Sequence, residues 1–136
     1  MLSRIAHFLR MIRFSHTLFA LPFAIAQLAV IAARHTEGVR VTWQNALLIV
    51  VAFTAMRSFA MAANRLIARE IDARNPRTAS RELPAGKLSA GAVWVFGMTA
   101  LGILAISAWL LAPIAAWLAL PAAAIVAGYS YAKRFT

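Results

Sequence analysis

The chain is 136 residues long, 62% hydrophobic and 13% charged, with a mean hydropathy of +0.75. Soluble domains average about 25% charged residues, so this composition excludes an ordinary water-soluble fold. Cysteine is absent, which excludes disulfides and Cys-based zinc and leaves oxygen or imidazole to hold any metal. The formal charge of +10, from 14 Lys and Arg against 4 Asp and Glu, would indicate nucleic acid in a soluble protein; here the cations lie between apolar runs, a pattern of membrane topology and not of nucleic-acid binding.

The first apolar run, from Phe14 to Ala33, carries no charged residue and reaches the roughly 20 residues that a bilayer requires. A signal peptide also begins with a basic segment, but its apolar core is usually about 7 to 15 residues; this run is longer, and more follow it. The second span starts near the interfacial Trp43 and continues from Ala46 through Ala63. It contains Arg57, a cation about two helical turns inside the membrane, which points to a partner or a water-filled cavity, with snorkelling to the interface as the plainer alternative. The third span runs from Ala90 to Leu111, where Gly97, Gly102, Ala100 and Ala105 offer a small-residue face for close packing. Pro113 marks a tight turn into a fourth run, Ala115 through Tyr131, so the last two spans form a helical hairpin. Trp43, Trp94, Trp109 and Trp117 sit near span ends as interface anchors. The expected fold is all-α and integral to the membrane, with four transmembrane helices.

Orientation follows from the cations in the short connections. Arg4, Arg10 and Arg13 precede the first span, Arg65, Arg69, Arg74, Arg77, Arg81 and Lys87 lie between the second and third, and Lys133 and Arg134 close the chain. That places eleven on one side against Arg34 and Arg40 on the other. Both termini and the long basic segment are therefore expected in the cytoplasm, and an even number of spans agrees with both ends on one side.

The segment from Asn64 to Lys87 holds most of the chemistry. If the second helix extends beyond the membrane, Asn64, Ala68 and Asp72 stand at i, i+4 and i+8, placing two oxygen ligands toward one cavity. Mg²⁺ favours such oxygens together with substrate phosphates, and the surrounding arginines suit the remaining phosphate oxygens. Asn75-Pro76 ends the helix, because the residue before proline is biased out of the α region. The bland alternative is a solvated loop whose arginines set topology and bind anionic lipid headgroups.

The stretch Met56-Arg57-Ser58, then Asn64, then Arg69-Glu70-Ile71-Asp72, then Asn75-Pro76-Arg77-Thr78-Ala79-Ser80-Arg81-Glu82-Leu83-Pro84-Ala85-Gly86, resembles the first signature of the UbiA family of membrane prenyltransferases. His16-Thr17-Leu18-Phe19-Ala20-Leu21-Pro22-Phe23 resembles the family's first helix, and Tyr129 with Lys133 resembles its Tyr-x-x-x-Lys motif after the fourth. The resemblance implies the first part of an all-helical bundle, normally of nine transmembrane helices, that transfers a polyprenyl chain from its diphosphate to an aromatic acceptor. In the family pattern N-x-x-x-D-x-x-x-D the Asn falls on Asn64 and the last Asp on Asp72, while the middle Asp falls on Ala68, whose methyl group cannot coordinate Mg²⁺. Arg65 follows Asn64 as in a branch resembling 4-hydroxybenzoate polyprenyltransferases, some of which act on a naphthoate acceptor in menaquinone synthesis.

On this resemblance Asn64 and Asp72 are the expected catalytic residues and Mg²⁺ ligands. Arg57, Arg69, Arg77, Arg81, Tyr129 and Lys133 are the expected substrate-binding residues, and polyprenyl diphosphate and an aromatic acid such as 4-hydroxybenzoate are the substrates. The setting implied is a bacterial inner membrane and quinone biosynthesis. The chain stops at Thr136, inside a matching motif, and the family's second acidic motif would lie beyond it. A partial sequence, the N-terminal portion of a larger domain, is therefore expected, with further helices or a partner chain completing the cavity. The reading from another class is a non-catalytic membrane protein that binds anionic lipid.

Overall fold

The structure, a computed structural model, describes residues 2–11, Pro22, Ile25, Ala26, Ala29 and 42–132. The first expected span lies outside the described residues except at those four isolated positions, all helical. His16 and Lys133 also lie outside them.

Helix α1, Leu2–Met11, was not anticipated. Its apolar residues recur at helical spacing, so Phe8 and Met11 turn inward while Ile5 and Leu9 stay exposed. Phe8 stacks on Phe96 at 5.0 Å between ring centroids.

Helix α2, Trp43–Ile67, opens at Thr42, whose hydroxyl accepts from Asn45 N at 3.2 Å and so satisfies an otherwise unpaired N–H. It continues past the expected Ala63 to Ile67 and ends at Ala68, where ψ rises to 1°. Helix α3, Arg69–Arg74, follows at once. The backbone bonds Ala68 N to Asn64 O, 2.9 Å, and Asp72 N to Ala68 O, 2.8 Å, carry the four-residue register across the junction. Asn75, extended at ψ 118° before Pro76, stops α3 as expected. Helix α4, Ala90–Leu111, has its expected bounds and is capped by the Ser89 hydroxyl, which accepts from Ala92 N at 3.2 Å.

Helix α5, Pro113–Ala132, begins on the proline itself. The hairpin turn is the single extended residue Ala112, at φ −168° and ψ 142°, because a proline lacking an N–H fits the first helical position at no cost in hydrogen bonding. Residues 75–89 form turns, with Gly86 at φ +69° where a side chain would be strained. Two of their side chains pack into the bundle: Leu83 and Leu88 are buried with Met11, Ala62 and Val93.

The bundle core is built from small residues. Helix α2 buries Ala55, Ser58 and Ala62, α4 buries Gly97, Ala100 and Leu104, and α5 buries Ala116, Ala123 and Ser130 at seven-residue intervals. A Cβ on Gly97 would lie 3.1 Å from Ala62 Cβ, so these two backbones touch as closely as glycine permits. Large apolar side chains point outward instead: Trp94, Ile106, Trp109, Leu110, Trp117, Leu118 and Ile125 are all exposed. In water that arrangement would be an aggregation surface, whereas hydrocarbon solvates it. The hydroxyls of Thr54, Ser58, Thr99, Ser107 and Ser130 donate to carbonyls four residues earlier, which spares them an unsatisfied state in lipid. Three described helices, Trp43–Ile67, Ala90–Leu111 and Pro113–Ala132, are long and apolar enough to cross a membrane.

Candidate diphosphate site

At the end of the bundle where α1, α3 and residues 75–89 gather, a pocket of about 140 Å³ is lined by Asn64, Ile67, Ala68, Ile71, Asp72, Arg81 and Ser130. Helix α2 supplies Asn64, whose Nδ2 donates to Ser130 Oγ of α5 at 3.4 Å. That bond fixes the sense of the amide and leaves Oδ1 as its acceptor end. The continuous register puts Ala68 one turn further along and Asp72 one turn beyond, in α3. The expected i, i+4, i+8 alignment therefore survives the break between the helices.

Asp72 is 6% exposed, and a lone carboxylate at that depth would be costly. It is matched by arginine. Arg81 Nη1 donates to Asp72 Oδ1 at 2.7 Å and to Oδ2 at 2.8 Å, and Arg65 Nη1 lies 3.8 Å from Oδ2. Arg65 is itself buried and does not line the pocket. The turn after α3 delivers Arg81. Asn75 Oδ1 accepts from Arg77 N at 3.0 Å, and Thr78 Oγ1 donates to the Asp72 carbonyl at 2.9 Å. The chain is thereby folded back over α3, so that a residue nine positions later meets Asp72. Two guanidinium groups thus face one carboxylate, and of the two only Arg81 also lines the pocket.

The other expected residues are spread out. Arg69 and Arg77 are exposed, and Tyr129 on α5 is 71% exposed, beside the Ser130 that does line the pocket. Arg57 lies seven residues before Asn64 on the same face of α2, about 10 Å deeper. Its Nε is buried with no hydrogen-bond partner among the described residues. Ser130 was missed in the sequence, although it stands in the Tyr129 to Lys133 motif and closes the Ala116, Ala123, Ser130 repeat.

The sequence profile of the UbiA prenyltransferase family matches residues 16–136. The chain belongs to the UbiA prenyltransferase family. A solved UbiA homologue from Aeropyrum pernix K1 shares 34% sequence identity and superposes with a TM-score of 0.77, over 88% of this chain and 42% of that one. Protoheme IX farnesyltransferases of two Vibrio vulnificus strains, YJ016 and CMCP6, are each 39% identical over 71 residues, which is 51% of this chain and 24% of theirs. The chain thus spans less than half the length of the solved homologue, and its match takes in about a quarter of the farnesyltransferases.

UbiA prenyltransferases generally use a divalent metal. Mg²⁺ asks for near-octahedral oxygen coordination. This pocket brings one carboxylate, both of whose oxygens accept from Arg81, and one amide, with the Ala68 methyl between them. Among the described residues no three His, Asp or Glu side chains converge to hold a metal. The donor set does not by itself fit a Mg²⁺ site.

Proposed function

We propose that this chain forms the diphosphate-binding part of an enzyme that transfers a polyprenyl group from polyprenyl diphosphate to an aromatic acid such as 4-hydroxybenzoate in quinone biosynthesis. The observation that supports it most is the pocket where Asn64, Asp72 and Arg81 meet at one end of an apolar bundle. As the allylic C–O bond breaks, negative charge grows on the leaving diphosphate, and guanidinium donors there stabilise it more than the bound ground state. Arg69 and Arg77, both exposed, attract the diphosphate, and Lys133 and Tyr129 complete its contacts. The prenyl chain lies along apolar helix surface, which keeps water from the allylic cation. Arg57 receives the acceptor's carboxylate, as its buried Nε, without a hydrogen-bond partner among the described residues, allows.

The enzyme sits in a bacterial inner membrane with both termini and residues 64–87 in the cytoplasm, and further helices or a partner chain complete its cavity. The 71-residue likeness to protoheme IX farnesyltransferases supports a second acceptor, protoheme. A naphthoate-type acceptor, as in menaquinone synthesis, is the third candidate. The test is prenyl transfer by the native-length protein in lipid nanodiscs, supplied with one polyprenyl diphosphate and each acceptor in turn. The proposal expects product with 4-hydroxybenzoate; product with protoheme alone would replace the acceptor, and diphosphate-independent lipid binding without transfer would replace the reaction.

A further inference from the structure

We propose that Arg81 is the resident cation of the pocket and grips the diphosphate oxygens directly, with Asp72 acting as a positioning residue for it and Arg65 neutralising Asp72 from behind. This inference rests on the reading that the ligand is a prenyl diphosphate, and it differs from a metal-bridged site in what Asp72 does.

Three features carry it. Arg81 meets the two Asp72 oxygens through Nη1 alone, at 2.7 and 2.8 Å, and a guanidinium has five donors in a planar fork. Nη2 and Nε therefore remain to bond an anion, and the side chain, 30% exposed, lines the pocket. Next, the Asp72 charge is also met by Arg65 at 3.8 Å on a buried side chain outside the pocket lining. Were Asp72 paired with Arg81 alone, the pocket would be close to neutral; with Arg65 present, the positive charge of Arg81 is left over for the ligand. Finally, Ala68 occupies the wall one turn from both Asn64 and Asp72. A carboxylate at that position would supply the second anion a divalent ion needs, and would equally draw Arg81 away from phosphate. An alanine keeps the balance in favour of arginine.

The experiment is equilibrium binding of geranyl diphosphate to the native-length protein in nanodiscs, with either EDTA or Mg²⁺. Binding is expected in EDTA and is expected to change by less than about threefold on adding Mg²⁺, as for a site whose charge is already matched. Arg81→Met should weaken it by about tenfold or more in both conditions, the scale of a lost charge-assisted bond. Asp72→Asn should weaken it by a similar factor in both conditions, with partial rescue by Asp72→Glu; a metal ligand would instead lose only the Mg²⁺-dependent part. Ala68→Asp leaves the three charged residues in place and should reduce binding in EDTA while creating Mg²⁺ stimulation. Binding by the parent only with Mg²⁺, abolished in Asp72→Asn, would overturn the inference and keep the prenyltransferase reading. No binding in either condition would overturn both.

Discussion

Asp72 has both oxygens on Arg81 and a second arginine 3.8 Å away, so truncating Arg81 leaves a 6% exposed carboxylate short of its bidentate partner. Breaking a fully buried pair costs about 3 to 5 kcal/mol; because Arg81 retains some solvent contact, Arg81→Leu is expected to destabilise the protein by about 2 kcal/mol. Thermal unfolding in detergent measures this, and the double variant with Asp72→Asn should lose less than the sum of the two singles, since the orphaned charge is removed as well. Arg57 gives a different signature. Its buried Nε has no hydrogen-bond partner among the described residues, so Arg57→Met should leave stability almost unchanged and raise the acceptor KM about tenfold, with the prenyl diphosphate KM unaffected. Equal changes in both Michaelis constants would place Arg57 at the diphosphate instead.

The pairing of α2 with α4 depends on how closely their backbones approach. Gly97 and Ala62 meet where an added Cβ would stand at 3.1 Å, which leaves no room for a branched side chain between the helices. Gly97→Leu is expected to cost about 2 kcal/mol by overpacking and to shift the Val93 and Leu83 contacts that anchor residues 75–89. Loss of thermal stability together with weaker diphosphate binding is the expected pair of readouts, because Arg81 is delivered by that same segment. Gly102, where an added Cβ meets nothing within 4 Å, serves as the control: Gly102→Ala should be neutral or slightly stabilising, as alanine is the better helix former.

At the scale of the molecule, an outward display of Trp and Leu around a core of Ala, Gly and Ser places the bundle in lipid. Its orientation is the subject of a direct test. Ser80 is exposed in the turn segment, and a single Ser80→Cys in this cysteine-free chain should react with a membrane-impermeant thiol reagent only after the cytoplasmic face is opened. Labelling from the periplasm would invert the topology. The chain matches 42% of the solved homologue, and on the proposal that further helices or a partner chain supply the rest of the cavity, residues 1–136 expressed alone should show no prenyl transfer, for want of the groups that orient donor and acceptor. Turnover by that segment in lipid without any partner would show that half the bundle suffices.

Much of this was legible from one-dimensional pattern. The bounds of α4, the hairpin at Pro113 and the spacing of Asn64, Ala68 and Asp72 follow from hydrophobic length, from proline's missing N–H and from the 3.6-residue period, all of them local properties. Helix α1 escaped because a ten-residue segment is too short to span a bilayer, and its arginines speak first of topology; only the Phe8 and Met11 contacts with the bundle reveal its packed face. The partners of the site residues were beyond the reach of pattern. Asn64 meets Ser130 across 66 positions, and Arg81 meets Asp72 because the Asn75 and Thr78 side-chain bonds fold the chain back. The amino-acid sequence by itself determined that there are lipid-spanning helices and which charged and amide side chains fall at helical spacing after Asn64. Tertiary structure decided that Asp72 faces arginine, since the lowest-energy match for a buried carboxylate depends on which cation the fold brings within 3 Å, and no periodicity encodes that distance.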